Sequence, residues 1–337
     1  MPSSDDRGAV SAAPLDASDL QRYRRGLLIA STAAILFSAK AIVAKLMYRY
    51  PIDAVTVLSL RMLMAAPCFG AIALWHLFRS PGLRWSDRIS VVLLGLLGYY
   101  LSSFLDFLGL QYVSAGLERL ILFLTPSFVL LLSVIVLKRR ISRRQWLALA
   151  IAYAGIVLVF AHDLQLGGER VWFGAALIFG AAVSYATYLT GTGELVQRVG
   201  AVRLVAYAMC VSTVACVLQF ALLRPWSLLI QPEPVLWLSL INALFCTVAP
   251  VLLTMLAVAR IGAPSVSQAG MLGPVSTLFL GLWLLGEPIT AWQLGGCSLV
   301  LIGMAVLSRS AGKTASPARE ASTETDNSRN LAAADRA

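Results

Sequence analysis

The chain has 337 residues, of which 58% are hydrophobic and only 13% charged, and its mean hydropathy is +0.78. Soluble domains carry about 25% charged residues, so a water-soluble surface of this size is excluded and a bilayer must solvate most of the chain. The net charge of +10 does not indicate nucleic acid as a partner, because the basic residues stand in short clusters between apolar runs and form no continuous basic face.

Residues 1–25 read as a polar N-terminal tail with no secretory signal; Asp5, Asp6, Asp16 and Asp19 fall in it. The first apolar run begins near Gly26 and is long enough to remain as a spanning helix. A span needs roughly 20 apolar residues, and in lipid such runs become helices because the backbone must satisfy its own hydrogen bonds. Ten are predicted, at about 26–47, 54–78, 89–111, 115–137, 145–161, 171–190, 202–223, 234–257, 263–285 and 291–308. The expected class is therefore an all-α integral membrane protein. Residues 309–337 are small, polar and free of aromatics and read as a disordered tail. Its Gly312-Lys313-Thr314 lacks the upstream glycine of a phosphate loop, since Leu307 stands there.

Basic residues orient the bundle. With both termini in the cytoplasm, 20 of the 27 Lys and Arg fall in inside segments and five (Lys45, Arg49, Arg119, Arg170, Arg224) fall outside, with Lys40 and Arg61 within spans. No cofactor is expected. Cys68, Cys210, Cys216, Cys246 and Cys297 lie in apolar runs without CxxC spacing and read as buried thiols, and His76 and His162 are too far apart in sequence to suggest a metal site.

The chain repeats itself at a shift of 148 residues. Ala115 meets Ala263, Pro126 meets Pro274, Ile141 meets Ile289, Gln145 meets Gln293 and Gly155 meets Gly303. The turn Lys138-Arg139-Arg140-Ile141-Ser142-Arg143-Arg144 falls on Gly286-Glu287-Pro288-Ile289-Thr290-Ala291-Trp292, so five positive charges become none. A five-helix unit has an odd number of spans, so its second copy is inverted and the basic residues vanish on the outer side. The halves are expected at 26–161 and 171–308. Inverted repeats characterise secondary transporters, with the substrate near the midplane between the halves.

Several stretches carry a family pattern: Phe37-Ser38-Ala39-Lys40 followed by Tyr48-Arg49-Tyr50-Pro51, Leu60-Arg61-Met62, Gly109 to Ala115, Leu124-Thr125-Pro126, and Leu285-Gly286-Glu287-Pro288 with Gln293 and Gly303. Over residues 26–308 the chain resembles the drug/metabolite transporter superfamily, EamA type. The Gly-Glu turn typical of both repeats stands as Lys138-Arg139-Arg140 in the first. The resemblance implies a ten-helix carrier of the inner membrane that moves amino acids or similar metabolites, often outward.

An ionisable residue in a span costs roughly 2.5–3.5 kcal/mol near the bilayer centre and usually faces the bundle interior. Lys40, Arg61, Asp106, Glu118 and Arg119 all fall in the first repeat. Arg61 suits a carboxylate or phosphate; the other reading is an ion pair with Asp106 or Glu118. Lys40 needs a partner or a wet cavity. Tyr99, Ser103 and Asp106 share one face of the third helix, beside an aromatic face of Tyr100, Phe104 and Phe107. Together they suit a cavity wall, while a lipid-facing belt explains the aromatics equally. Asp106 is also the candidate for proton coupling, with Glu118 and Arg119 as possible ion-pair partners. In the second repeat the candidates are neutral: Ser184, Tyr185 and Tyr188, Asn242, and Ser267 and Gln268. Pro126 and Pro274 each free a carbonyl one turn earlier and can act as hinges. Gly174, Ala176, Gly180 and Ser184 allow close helix packing, within the bundle or between copies, so the chain is expected to be a monomer or homodimer.

The leading reading is thus a carrier of a zwitterionic or anionic metabolite. An intramembrane enzyme would need a clustered nucleophile and base that no span offers, and a sensor or scaffold would need a folded soluble output domain that the tails are too short to form.

Overall fold

The computed structural model describes residues 17–137, 141–167 and 170–307. Most of the two polar tails and residues Lys138, Arg139 and Arg140 of the basic turn, for which expectations were stated above, lie outside the described residues.

Among the described residues the regular structure is helical throughout, without a strand. The ten principal helices are α1 (Ala17–Met47), α2 (Ala54–Arg79), α3 (Trp85–Gly109), α4 (Ala115–Ile135), α5 (Arg143–Gly167), α6 (Arg170–Gly191), α7 (Ala201–Leu223), α8 (Glu233–Gly262), α9 (Ser265–Leu285) and α10 (Ala291–Leu307). Nine are long and apolar enough to cross a membrane. The tenth reaches 17 residues where the described chain ends, still about 26 Å at 1.5 Å per residue. A short helix, Gly193–Val199, joins α6 to α7, and a 3₁₀ turn, Trp226–Leu229, lies between α7 and α8.

The repeat is visible in the helix starts. Gln21 and Arg170, Ala54 and Ala201, Trp85 and Glu233, Ala115 and Ser265, and Arg143 and Ala291 open corresponding spans, 147 to 150 residues apart. The fifth helix of each half begins with the same device. Ser142 and Thr290 each accept a hydrogen bond from the backbone N–H of the glutamine three residues on, while the side-chain oxygens of Gln145 and Gln293 accept from the N–H of Ser142 and Thr290. These are reciprocal capping boxes, and they explain why glutamine recurs at both positions.

The two halves interdigitate. Helix α1 packs on α8 and α9 of the other half, α6 packs on α3 and α4, and α2 lies along α7. Helices α5 and α10 meet where small residues let backbones touch. A Cβ at Gly155 would stand 2.6 Å from the Gly296 carbonyl oxygen, and one at Gly303 would stand 2.6 Å from that of Ala148. Those two contacts exchange under the 148-residue shift, as a twofold relation between inverted halves requires.

The regular helices are interrupted at matching depths. A π-helical turn occupies Leu96–Leu101 in α3 and another occupies Leu244–Val248 in α8, beginning 148 residues apart. Helix α4 breaks at Leu124 and α9 at Gly270–Met271, in each case just before the proline at 126 or 274. Pro126 cannot donate to the Leu122 carbonyl; the Thr125 hydroxyl does so instead, at 2.6 Å.

Candidate functional site

Between the halves lies a cavity of about 140 Å³. Helices α1, α2, α3 and α4 line it with Phe37, Lys40, Arg61, Tyr99, Ser102, Ser103, Asp106, Arg119 and Thr125, and α6, α7 and α8 contribute Tyr185, Met209, Thr247 and Val251. The wall thus joins charged groups of the first repeat to neutral groups of the second.

At its centre Lys40 serves two carboxyls. Its Nζ lies 2.5 Å from Asp106 Oδ2 and 3.6 Å from Glu118 Oε1, and all three side chains are buried. The carboxyl groups of Asp106 and Glu118 are themselves neighbours. Asp106 Oδ1 and both Glu118 oxygens accept no hydrogen bond among the described residues. Both carboxyls therefore depend on one amine.

The two guanidinium groups are held differently. Arg61 Nε donates to Thr247 Oγ1 at 2.7 Å, and its Cζ lies 5.1 Å from the centre of the Phe107 ring, within cation–π range. Arg119 lies 5.9 Å from the Phe37 ring and presses on α9 so closely that a Cβ at Gly273 would stand 2.5 Å from its Nη2. Among the described residues neither arginine has a carboxylate within 4.0 Å, and Arg61 Nη1 and Arg119 Nε have no hydrogen-bond partner. Two cations thus line the cavity, Arg61 buried and Arg119 half-buried, each with one nitrogen left without a partner.

Two tyrosines of the lining, Tyr99 and Tyr185, cluster with Tyr188. The Tyr99 ring lies 5.1 Å from that of Tyr188 and 6.4 Å from that of Tyr185, and Tyr185 stacks on Tyr188 at 5.7 Å. Gly98 makes room for them, since a Cβ there would overlap the Tyr188 ring. Ser184 donates to the Leu97 carbonyl at 2.7 Å and so fastens α6 to the π-turn of α3.

Buried side chains pack at one end of the cavity. Beyond the charged layer, towards the connections after α1, α3 and α9, lie the fully buried Met47, Phe107, Leu110 and Ala115. Tyr48 donates to the Phe107 carbonyl at 2.7 Å. Outside these, Lys45 pairs with Glu287 at 2.7 Å, and the second oxygen of Glu287 accepts the Ala115 N–H at 3.2 Å. The hairpin between α9 and α10 is thereby tied to α1 and to the first turn of α4.

Of the residues singled out from sequence, Lys40, Arg61, Tyr99, Ser103, Asp106, Arg119 and Tyr185 line the cavity, and Glu118 sits directly behind Lys40. Asn242 and Gln268 are not in the lining. Asn242 is fully buried with both side-chain polar atoms unpartnered, and Gln268 is exposed on α9. The ion pair considered for Arg61 is made by Lys40 instead, and Arg61 takes a threonine. Of the aromatic face, Phe107 lies beneath Lys40 and Arg61, whereas Tyr100 and Phe104 stack on each other against the core. Sequence patterning missed Thr247. Its one signal was its place 148 residues after Tyr99.

A family model described as the EamA-like transporter family matches residues 24–161 and again 172–309. An uncharacterized transporter of Bacillus subtilis, YcbK, is 30% identical over 88% of this chain and 97% of its own length. An uncharacterized transporter of Archaeoglobus fulgidus is 26% identical over 76% of this chain and 88% of its own. An S-adenosylmethionine/S-adenosylhomocysteine transporter of Chlamydia trachomatis is 24% identical over 63% of this chain and 68% of its own. A solved crystal structure shares the fold, with TM-score 0.60 and 16% identity over 86% of this chain and 99% of that one.

Removing one member of a buried ion pair costs about 3–5 kcal/mol, because it strands the other charge. Lys40→Met is therefore expected to lower stability by about that amount, and Lys40→Met/Asp106→Leu/Glu118→Leu, which removes both carboxyls it serves, to recover at least half of it. Unfolding in detergent, followed by tryptophan fluorescence, checks this; equal losses in both variants would show that Lys40 is not the counter-ion.

Proposed function

Because the chain belongs to the EamA-like transporter family, we propose that it is a secondary carrier that moves a small anionic or zwitterionic metabolite by alternating access. The observation that carries this reading is the pair of guanidinium groups of Arg61, buried, and Arg119, half-buried, which line the cavity, each with an unpartnered nitrogen and no carboxylate within 4.0 Å among the described residues. Guanidinium groups recognise carboxylates and phosphates through paired N–H donors. Tyr99 and Tyr185 supply a flat apolar wall for the remainder of the solute, and Ser103 a hydroxyl. The solute named for the Chlamydia relative, with a carboxylate and a planar ring system, is of this chemistry and makes a suitable first probe.

In this reading Lys40 belongs to coupling. One amine between two carboxyls lets the cluster hold or release a proton with its net charge changing between zero and −1, and Arg119 and Arg61 stand close enough to offset the negative state. The end at which Met47, Phe107 and Leu110 pack is the outer one, the prolines at 126 and 274 are hinges, and the direction of transport is outward. The chain sits in a bacterial-type inner membrane with both termini in the cytoplasm.

Three measurements test this. In proteoliposomes, Arg61→Ala is expected to abolish counterflow of S-adenosylhomocysteine or of related carboxylates while the protein still purifies as a monodisperse species; wild-type flux from that variant would remove Arg61 from the mechanism. In the same vesicles Glu118→Gln is expected to lose the response to an imposed pH gradient, and a response of unchanged size would place coupling elsewhere. For orientation, a membrane-impermeant maleimide is expected to label Pro288→Cys on intact cells and Arg144→Cys only after permeabilisation. Labelling of both from one side contradicts the inverted arrangement.

A further inference from the structure

Arg61 comes from the first repeat and its hydrogen-bond partner from the second. Its Nε–H donates to Thr247 Oγ1 at 2.7 Å, and the Thr247 hydroxyl gives its own proton to the Asn242 carbonyl at 2.9 Å. A hydroxyl has one proton. Spending it on Asn242 leaves the oxygen as a pure acceptor towards Arg61. The guanidinium also lies over Phe107, while its Nη1 is buried without a partner. One nitrogen is therefore tied down, one ring supports the plane, and Nη1 of this cavity-lining residue is left without a partner.

Thr247 owes this position to a backbone irregularity. It lies in the π-turn Leu244–Val248, and the carbonyl it bonds belongs to the residue five positions earlier. A π-turn places one extra residue in a helical turn and is frequent at functional sites. The matching π-turn of α3 puts Tyr99 at the equivalent place, also on the cavity.

The geometry points to Thr247 as the positioning residue for Arg61: it fixes the guanidinium so that a carboxylate or another planar anion meets its free donors. Because the bond crosses between the repeats, it holds the anion-binding group in place in this arrangement of the two halves. The inference rests on reading Arg61 as an anion-binding residue, and the experiment keeps the two apart.

The full chain, labelled with ¹⁵N-arginine in lipid nanodiscs, reports the bond directly, with Arg61→Lys assigning the Arg61 Nε–H resonance. That resonance is expected to be protected from exchange with water in the wild type and in Thr247→Ser. In the isosteric Thr247→Val it is expected to exchange at least tenfold faster and to move towards the position of exposed arginines. In proteoliposomes, with S-adenosylhomocysteine and benzoate as probes, Thr247→Val is expected to raise the half-saturating concentration about tenfold, which corresponds to about 1.4 kcal/mol, with the maximal rate within about twofold. Thr247→Ser should stay close to wild type. An Arg61 resonance unchanged in Thr247→Val overturns the positioning role, and so does an unchanged half-saturating concentration for a probe that the wild type carries. If the wild type carries neither probe, the substrate reading fails for those carboxylates, and the resonance alone decides the role of Thr247.

Discussion

One ammonium group holds together the charged half of the molecule. Lys40 on α1 reaches Asp106 on α3 and Glu118 on α4, and none of the three is tolerable in a membrane interior alone. The cluster therefore fixes the relative positions of three helices of one repeat. The second repeat copies the scaffold without the charge. At the 148-residue shift Lys40 corresponds to Tyr188, Arg61 to Met209, Asp106 to Thr254 and Glu118 to Val266. The lining is consequently lopsided in charge: its ionisable groups Lys40, Arg61, Asp106 and Arg119 all come from the first repeat.

The irregular backbone is gathered around the same space. Non-helical backbone is tolerated at membrane depth only where it is buried in protein or lines a cavity. At three of the irregularities a hydroxyl side chain satisfies a nearby carbonyl: Ser184 bonds Leu97 at the π-turn of α3, Thr125 bonds Leu122 at the break in α4, and Thr247 bonds Asn242 at the π-turn of α8. Two of these three threonine and serine residues line the cavity. The features that bend the helices and those that shape the wall are thus the same residues.

The contacts of Glu287 show how the repeats cooperate. Glu287 belongs to the second half, yet its two oxygens bind Lys45 of α1 and the first turn of α4. At the 148-residue shift Glu287 corresponds to Arg139, so the two copies of the turn sequence differ in charge. Sequence comparison had marked this difference as a sign of orientation, and the structure shows the acidic copy making contacts that fasten one end of the bundle.

Hydropathy and the internal repeat made the architecture legible, because a bilayer admits few alternatives to helices of spanning length and an odd-numbered unit must invert. The cost of burying charge made Lys40, Arg61, Asp106, Glu118 and Arg119 conspicuous as well, and helical periodicity placed Tyr99, Ser103 and Asp106 on one face. Periodicity failed where the wall depends on partners from the other half. Asn242 and Gln268 were polar in apolar runs, but the packing of α8 buries the first away from the lining and α9 turns the second outwards. Thr247 is inconspicuous in its own run; only the π-turn and the approach of Arg61 from α2 give it a role. Composition and spacing determined which groups had to be hidden from lipid. Which of them meet was decided by the tertiary structure, because pairing across two interlocked repeats depends on distances that no single helix contains.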